Sequence, residues 1–334
     1  MNNNQTKFLT MTASPHIKSE IKTRHLMGDV IIALIPALIW SIYVFGLRAL
    51  TLTVISVISC VIFEYLYRKI MRKKNTVSDL SAVITGILLA FSLPVSVPLW
   101  MPVVGAFFAI VIVKQLYGGI GKNIVNPALA ARVFLFVAYP SELTLFTKEG
   151  AYLSPLAINV TKAASDPLVI AGATPLSELK SGVIETSDVT AAFLGNIPGT
   201  IGEVSATILI LTGIYLMLRK VITWHIPVTF IATVAVLTFA FPMADISRVD
   251  FMLLELFSGG LIIGAFFMAT DYVTSPVTSL GRIIYGIGCG LITVFIRYFG
   301  GYPEGVSFAI LIMNLLVWYL DKATKPRAFG GVKK

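Results

Sequence analysis

Thr174 carries a hydroxyl group in a segment whose residues predict a tight, accessible turn. It follows Gly172 and Ala173 and precedes Pro175 in the segment 171–176 (AGATPL). Glycine permits backbone conformations that other residues resist, and the proline biases Thr174 towards an extended conformation. Such a turn presents the threonine hydroxyl to an approaching enzyme, although on these residues alone an ordinary turn is the simpler interpretation.

Acidic residues in apolar stretches are the second group that could do chemistry. They are costly in a membrane unless they are paired, hydrated or protonated, and they often mark an ion path. Six occur within or beside such stretches: Asp29, Glu64, Asp79, Glu255, Asp271 and Glu304. Asp29, Asp271 and Glu304 suit a membrane interface, whereas Glu255 is flanked by leucines and a phenylalanine. We predict that Glu255 and Asp271 contribute to ion coupling.

Other kinds of catalytic site are not indicated. His16, His25 and His225 share no helix face and no metal-ligand spacing. Cys60 and Cys289 lie in apolar stretches without a Cys-x-x-Cys spacing, so we expect neither a disulfide nor a metal–thiolate centre. The polar segments contain no P-loop, dinucleotide-binding motif or nucleophile elbow. Hydrolysis, nucleotide binding and metal chemistry are therefore not predicted.

The composition indicates that membrane-spanning helices hold these residues. Of the 334 residues, 56% are hydrophobic and 13% are charged, and the mean hydropathy is +0.85. A soluble domain has about twice that charged fraction, so the sequence predicts a polytopic membrane protein. The net charge is +9, but the basic residues lie in short clusters between apolar stretches. Because no basic and aromatic patch occurs, we expect no nucleic-acid partner.

Ten apolar stretches are predicted to span the membrane, five on each side of a polar interval. The predicted spans are residues 29–47, 49–67, 79–93, 98–113, 125–140, 204–219, 222–241, 252–269, 281–299 and 304–320. Residues 1–140 then comprise an N-terminal cytoplasmic segment and the first five helices, 141–203 form one large extracytoplasmic loop, and 204–334 comprise the second five helices and a cytoplasmic tail. The predicted fold class is an all-α polytopic membrane protein.

The basic residues predict that both termini are cytoplasmic, since Lys and Arg concentrate in cytoplasmic loops. With this orientation twenty of the 26 basic residues lie on the inner side, Lys114 and Arg132 among them. The short outer loops then hold Arg48, Arg248 and Arg297. The interval that contains Thr174 is thereby predicted outside the cytoplasm.

Five helices per half is an odd number, so two related halves would lie in the membrane with opposite orientations. Weak internal similarity supports this inverted repeat. Gly-Ala-Phe-Phe occurs at 105–108 and 264–267, and each copy is followed by an X-Pro pair and a later arginine. Three prolines crowd a predicted outer turn at 94–102, and glycines precede Asn-Pro within 118–127. We therefore predict half-helices that meet near the midplane of the membrane, where freed amides could hold anions or polar rings.

The sequence resembles a known family over nearly its whole length. The matching segments are residues 14–16 (SPH), 27–37 (MGDVIIALIPA), 121–128 (GKNIVNPA), 172–176 (GATPL) and 267–276 (FMATDYVTSP). Together with the single large outer loop, they look like the D subunit of the bacterial Rnf complex. This family is related to the B subunit of the sodium-translocating NADH:quinone reductase.

The resemblance implies a multi-pass subunit of the bacterial cytoplasmic membrane. Its complex would move electrons between ferredoxin and NAD and couple this transfer to sodium or proton translocation. In that family a flavin transferase joins FMN, through its phosphate, to the last threonine of a Ser/Thr-Gly-Ala-Thr motif outside the cytoplasm. Carried over, Thr174 is the acceptor, and Gly172 and Ala173 are recognition residues. A second, non-covalent riboflavin-like flavin near the repeat interface is also implied. The expected partners are the transferase and the other membrane and peripheral subunits.

The chain departs from the family motif at its first position, where Ala171 replaces Ser or Thr. The acidic residue usually found three positions earlier is replaced by Leu168, and Asp166 is the nearest carboxylate. The acceptor hydroxyl of Thr174 is retained.

Two other functions suit the predicted topology. One is a secondary transporter or channel of inverted-repeat architecture without a cofactor, and the other is a scaffold that holds other subunits together. The GATPL segment separates these alternatives from the redox subunit, because a permease has no use for a flavin acceptor outside the membrane. The sequence has no nicotinamide-binding fold and no cluster-binding cysteines, which indicates that the chain is not a complete enzyme by itself.

Overall fold

The computed structural model describes residues 22–146, 155, 175–181, 189–195, 197–203, 205–301 and 304–326. The first half contains α1 (Thr23–Phe45), α2 (Leu47–Ile70), α3 (Ser81–Phe91), α4 (Met101–Phe107), which continues as a π-helix over Phe108–Gln115, and α5 (Pro127–Ala138). The polar interval contributes the short helices α6 (Pro140–Leu143), α7 (Pro175–Ser181) and α8 (Val189–Leu194). The second half contains α9 (Ala206–Leu218), α10 (His225–Ala240), α11 (Arg248–Phe257), α12 (Leu261–Ile263), which continues as a π-helix over Gly264–Met268, α13 (Ser279–Phe299) and α14 (Val306–Thr324).

Membrane-spanning helices dominate the described part of the chain. There, α1, α2, α13 and α14 are long and apolar enough to cross a membrane, and α11 with α12 makes a fifth span if this bent pair is taken as one. The helices α3, α4, α5, α9 and α10 are apolar but shorter. An all-helical polytopic membrane protein is thus confirmed. A helix or a bent pair lies at each of the ten predicted spans, whereas the number of crossings and the inverted repeat stay predictions.

Glycines allow the closest contacts between helices. Along α13, a Cβ atom at Gly286 would lie 3.0 Å from the carbonyl oxygen of Ile226 in α10. In the first half, a Cβ at Gly86 of α3 would lie 2.6 Å from the Cα of Val57 in α2. Membrane helices commonly associate in this way, because small residues bring the backbones together and van der Waals contacts then stabilise the pair.

One face of the helix bundle contains the start of α1, the α9–α10 connection, the start of α13 and the end of α14. Asp29 near the start of α1 pairs with Arg219 after α9 at 3.1 Å. Arg282 in the first turn of α13 donates to a hydroxyl in the α9–α10 connection (3.3 Å). Thr278 before α13 hydrogen-bonds Thr324 at the end of α14. The start of α1 and the end of α14 are therefore on the same side of the bundle, while the orientation of the termini in the membrane stays a prediction.

The segment 92–98, predicted to lie in a short outer turn, is buried throughout. Arg48 of α2 donates to the carbonyl oxygens of Val95 (2.8 Å) and Val97 (2.9 Å). Arg132 of α5 donates to another carbonyl of this segment at 2.9 Å. Irregular backbone inside a membrane is tolerated only where protein or water satisfies its polar groups. The side chains of two arginines from neighbouring helices therefore satisfy this segment.

The predicted eighth span, 252–269, is not one continuous helix. Its two parts, α11 and α12, are bent by 60° relative to each other. Gly259 and Gly260 form the turn between them with φ of 73° and 65°, a region that glycine enters without steric cost. The break was not visible in the hydropathy pattern, because hydropathy does not register two adjacent glycines as a break, and whether the bent pair makes one crossing stays a prediction.

Four basic residues that the charge pattern assigned to the inner or outer side of the membrane are buried in the bundle. They are Arg48, Lys114, Arg132 and Arg297. Each hydrogen-bonds a carboxylate or a backbone carbonyl. Because the positive-inside pattern concerns basic residues in loops, these four should not be used to infer the orientation of the chain in the membrane. Two of the four were assigned to the inner side and two to the outer side. The excess of basic residues on the predicted inner side therefore persists without them.

Candidate functional site

The predicted attachment residue, Thr174, lies outside the described residues, as do Gly172 and Ala173. The description resumes at the next residue with α7. Leu176 and Leu179 of this helix are buried, and α7 packs against α11. Thr174 is therefore joined directly to a helix that is fixed on the membrane domain.

A buried ion pair between Glu255 of α11 and Arg297 of α13 supports this region. The two side chains are 2.6 Å apart and are 5% and 1% exposed. Arg297 also donates to the carbonyl oxygens of Glu255 (2.6 Å) and Ser258 (3.1 Å). The last carbonyl groups of a helix have no partner within the helix, so this guanidinium satisfies the end of α11 as well as the carboxylate.

Side chains from both ends of α7 contact the residues around this ion pair. A Cβ atom at Gly259 would lie 2.8 Å from Cδ2 of Leu176 and 2.9 Å from Nη2 of Arg297. Lys180 donates to the carbonyl oxygen of Gly300, just after α13. The helix that follows Thr174 thus rests on the glycine turn between α11 and α12 and on the end of α13.

We expect Arg297→Met to lower the free energy of unfolding by about 3–5 kcal/mol, because it leaves the Glu255 carboxylate buried without a partner. Thermal unfolding of the purified chain in detergent measures this change. Arg248→Met, at the exposed first residue of α11, is the matched control and should stay within about 0.5 kcal/mol of the parent chain. Equal effects of the two substitutions would show that the Glu255–Arg297 pair does not stabilise the fold.

A cavity of about 290 Å³ lies at the opposite end of the bundle, between the two halves. The starts of α1, α3 and α5 and the ends of α9 and α12 surround it. Its polar and aromatic lining includes Ser81, Thr85, Lys114, Asn123, Asn126, Phe266, Phe267, Thr270, Asp271 and Tyr272. A concave site with aromatic walls and a few polar groups is typical of a cofactor or small-molecule pocket.

Asn126 joins the two halves beside this cavity. Its side-chain oxygen accepts hydrogen bonds from the amides of Ala128 (3.0 Å) and Leu129 (3.4 Å), which caps the N-terminus of α5. Its side-chain nitrogen donates to the carbonyl oxygen of Met268, at the end of the π-helix after α12 (3.1 Å). The Asn-Pro pair singled out in the sequence therefore positions one half against the other.

Asp271 and Glu255, the residues predicted to contribute to ion coupling, are not brought together. Asp271 lines the cavity, where its carboxylate accepts hydrogen bonds from the amide of Val273 (3.4 Å) and the hydroxyl of Thr274 (3.2 Å). Burial raises the pKa of the Asp271 carboxyl above its usual range. Glu255 lies in the last turn of α11, next to the glycine turn, where it pairs with Arg297. Their role in ion coupling stays a prediction.

A second buried pair, Lys114 and Glu64, lies beside the cavity and was not predicted from the sequence. The Nζ of Lys114 is 2.8 Å from the Glu64 carboxylate, and the side chains are 3% and 0% exposed. Lys114 also donates to the hydroxyl of Ser81 (2.6 Å), and Thr76 donates to Glu64 (2.6 Å). Lys114 lies in the π-helix after α4, a rare element that occurs often at functional sites. A sequence signal existed, since Lys114 is isolated rather than part of a basic cluster.

Comparisons with known proteins agree with this architecture. Residues 10–330 match the model of the NQR2, RnfD, RnfE family. The chain is 46% identical, over 97% of its length and 96% of the relative, to the D subunit of the Na(+)-translocating ferredoxin:NAD(+) oxidoreductase complex of Acetobacterium woodii. It is 40% identical, over 96% of both chains, to the D subunit of the proton-translocating ferredoxin:NAD(+) oxidoreductase complex of Clostridium ljungdahlii. The D subunit of an ion-translocating oxidoreductase complex of Halorhodospira halophila is 34% identical, over 96% of this chain and 95% of the relative.

Proposed function

The chain belongs to the NQR2, RnfD, RnfE family, and from this premise we propose that it is the D subunit of an ion-translocating ferredoxin:NAD oxidoreductase complex in a bacterial inner membrane. The observation that carries the proposal is its similarity, over nearly the full length of both chains, to relatives with that name. The chain is part of an enzyme complex rather than a complete enzyme. Its partners are the other subunits of the complex.

Covalent FMN on Thr174 is the second part of the proposal. The Gly-Ala-Thr-Pro-Leu segment supports it, and so does the docking of α7, which begins at the next residue. Bound FMN supplies the electron chemistry. The chain would contribute the threonine hydroxyl, which a flavin transferase esterifies, and a helix held by Leu176, Lys180 and the Glu255–Arg297 pair. Tethering keeps a redox group at high effective concentration beside its partners.

We also propose the cavity between the halves as the site of the non-covalent, riboflavin-like flavin. Its volume of about 290 Å³ suits a small aromatic molecule. Phe266, Phe267 and Tyr272 offer apolar and aromatic contacts, and Lys114 and Asn123 offer donors for ring carbonyl groups. The residues present therefore suit this group. The first Gly-Ala-Phe-Phe copy leads into a π-helix, and the second copy lies within one. Both π-helices line the cavity, the first through Lys114 and the second through Phe266. This shared feature supports the prediction that the two halves are related.

Thr85→Phe is expected to reduce the bound non-covalent riboflavin by at least about tenfold, equivalent to 1.4 kcal/mol of binding free energy. Thr85 is buried and lines the cavity, so a phenyl ring would occupy space that the flavin needs. Riboflavin released by acid precipitation of the purified chain is the quantity to measure. Val54→Phe on the exposed side of α2 is the control. Unchanged riboflavin in Thr85→Phe would place that flavin elsewhere.

The function itself is tested with membranes from a host that has no complex of its own. The complete complex is produced with or without this chain, and ferredoxin-dependent NAD⁺ reduction and ion uptake into vesicles are measured. Both activities should require the chain. If instead the chain alone, in liposomes, carries an ion or solute without any electron donor, the transporter or channel alternative would be favoured.

A further inference from the structure

A second charged cluster lies between the halves, near the end of α3 and separate from the large cavity. It contains Glu203 just before α9, Arg132 in α5 and Glu304 just before α14, and all three line a small cavity of about 20 Å³. That volume holds about one water molecule. Arg132 pairs with Glu304 and also donates to the hydroxyl of Ser307 (3.3 Å). Glu304, expected at a membrane interface, is thus part of this cluster, with its side chain 21% exposed.

Glu203 is held in the interior by its own backbone segment. Its relative exposure is 9%, and its carboxylate accepts a hydrogen bond from the amide of Thr200 (3.2 Å). The amide of Ile201 donates to a carbonyl of the buried segment 92–98 (3.0 Å). The chain that enters α9 is therefore fixed against the first half, and the carboxylate cannot simply turn towards water.

The charges around Glu203 do not balance when every group is ionised. Arg132 and Glu304 are the charged groups that line its small cavity, and Arg132 makes its ion pair with Glu304. Beyond the glycine turn, Arg297 and Glu255 neutralise each other. The other neighbours present hydroxyl, backbone or apolar groups: Phe91, Ser92, Thr200, Gly259, Gly260, Ile263, Met268, Val306 and Ser307. Among the residues that the structure describes, an ionised Glu203 would thus be a buried anion without a cation of its own, which is costly.

We propose that Glu203 is a proton-binding site, whose carboxyl group takes up and releases a proton while the Arg132–Glu304 pair stays charged. The proton comes from water and returns to it; one O–H bond forms or breaks, and no electron is transferred. Arg132 and Glu304 are positioning residues that set the pH of uptake. Burial and the neighbouring Glu304 charge raise the pKa of Glu203 to about 7, against the opposing influence of Arg132 and of the hydrogen bonds from Thr200.

The glycine turn between α11 and α12 connects this site to α7. A Cβ atom at Gly260 would lie 3.0 Å from Oε1 of Glu203, and one at Gly259 would lie 2.8 Å from Leu176. The same turn therefore contacts the carboxylate on one side and the helix that follows Thr174 on the other. Linkage of proton uptake to the flavin rests on the proposed function, whereas the proton site itself does not.

Infrared spectra of the purified complex, recorded over a pH titration, test the proposal. The parent complex should show the C=O stretching band of a protonated carboxylic acid that disappears with a midpoint near pH 7, and Glu203→Gln should lack it. Asp250→Asn, on the exposed face of α11, should retain it. The proposal is overturned if the parent complex has no such band, or if Glu203→Gln keeps it.

Glu304→Gln provides a test that does not remove Glu203. It frees Arg132 from its carboxylate and removes a neighbouring negative charge, so the midpoint should move to lower pH. An unchanged midpoint would contradict the assignment. A midpoint that moves when NaCl replaces choline chloride at constant ionic strength would also contradict a site for protons alone. Either failure in a complex that still carries covalent flavin would leave the proposed function intact.

Thermal unfolding gives an independent readout of the same site. The folded state holds the proton more tightly than the unfolded state, since the pKa is about 7 rather than the ordinary 4.5. Stability of the parent complex should therefore fall, relative to Glu203→Gln, as the pH rises from about 4.5 to about 7, and the difference should level off above that. Parallel melting temperatures across this window would count against proton binding.

Discussion

Replacing Thr174 with alanine is expected to reduce ferredoxin-dependent NAD⁺ reduction by the assembled complex to the rate of a complex without this chain. Alanine has no hydroxyl, so no phosphoester to FMN can form, and the electron path loses a carrier that only this residue is proposed to hold. The reaction is followed in membranes that contain equal amounts of the complex, as judged by antibody detection of this chain.

Thr144→Ala is the matched control for Thr174→Ala. Thr144 is an exposed threonine at the end of α6, and its hydroxyl donates to nearby backbone carbonyls of α6. This substitution should leave the rate unchanged. If Thr174→Ala retained the parent rate, the chain would not need a flavin on this residue for electron transfer.

Glu64→Gln is expected to lower the free energy of unfolding by about 3–5 kcal/mol, because it leaves the Lys114 ammonium buried without its anion. Both side chains are almost fully buried, so the loss of either partner leaves an unpaired charge in the interior. Lys114→Met should have a similar cost, since it leaves the Glu64 carboxylate unpaired. In the double variant no unpaired charge remains, and its loss of stability should be smaller than the sum of the two single losses.

A double-mutant cycle of thermal unfolding in detergent measures this coupling. Asp29→Asn is the control, because the partner of Asp29, Arg219, is 57% exposed. A pair of that kind contributes roughly 0–1 kcal/mol. Additive losses for Glu64→Gln and Lys114→Met would mean that the two side chains do not stabilise each other.

Much of the fold could be predicted from the hydropathy of the sequence. Long apolar stretches became α1, α2, α13 and α14, because a helix of about 20 apolar residues satisfies its own backbone groups in lipid. Sequence patterns fail where charge is buried. The positive-inside pattern assigned Arg48 and Lys114 to loops, yet Arg48 satisfies carbonyl groups of the segment after α3 and Lys114 pairs with Glu64. Such partners are 47 and 50 residues apart in sequence, and no local pattern reports them.

The candidate site was only partly predictable for the same reason. Glu255 could be singled out from its apolar neighbours, but its partner, Arg297, lies on another helix and looked like an outer-loop charge. Glu203 looked like one of several acidic residues in a hydrophilic loop, and only the packing of the chain before α9 shows that it is buried. Thr174, in contrast, was singled out from its sequence motif alone and lies outside the described residues.

The intact mass of this chain, purified from a host that also produces the flavin transferase, tests the central claim most directly. We expect a mass increase equal to one FMN minus water, with flavin fluorescence on a denaturing gel. Both signals should be absent from Thr174→Ala and from the parent chain made without the transferase. An unmodified, dark parent chain, beside a known acceptor that is labelled in the same host, would contradict covalent flavin on Thr174.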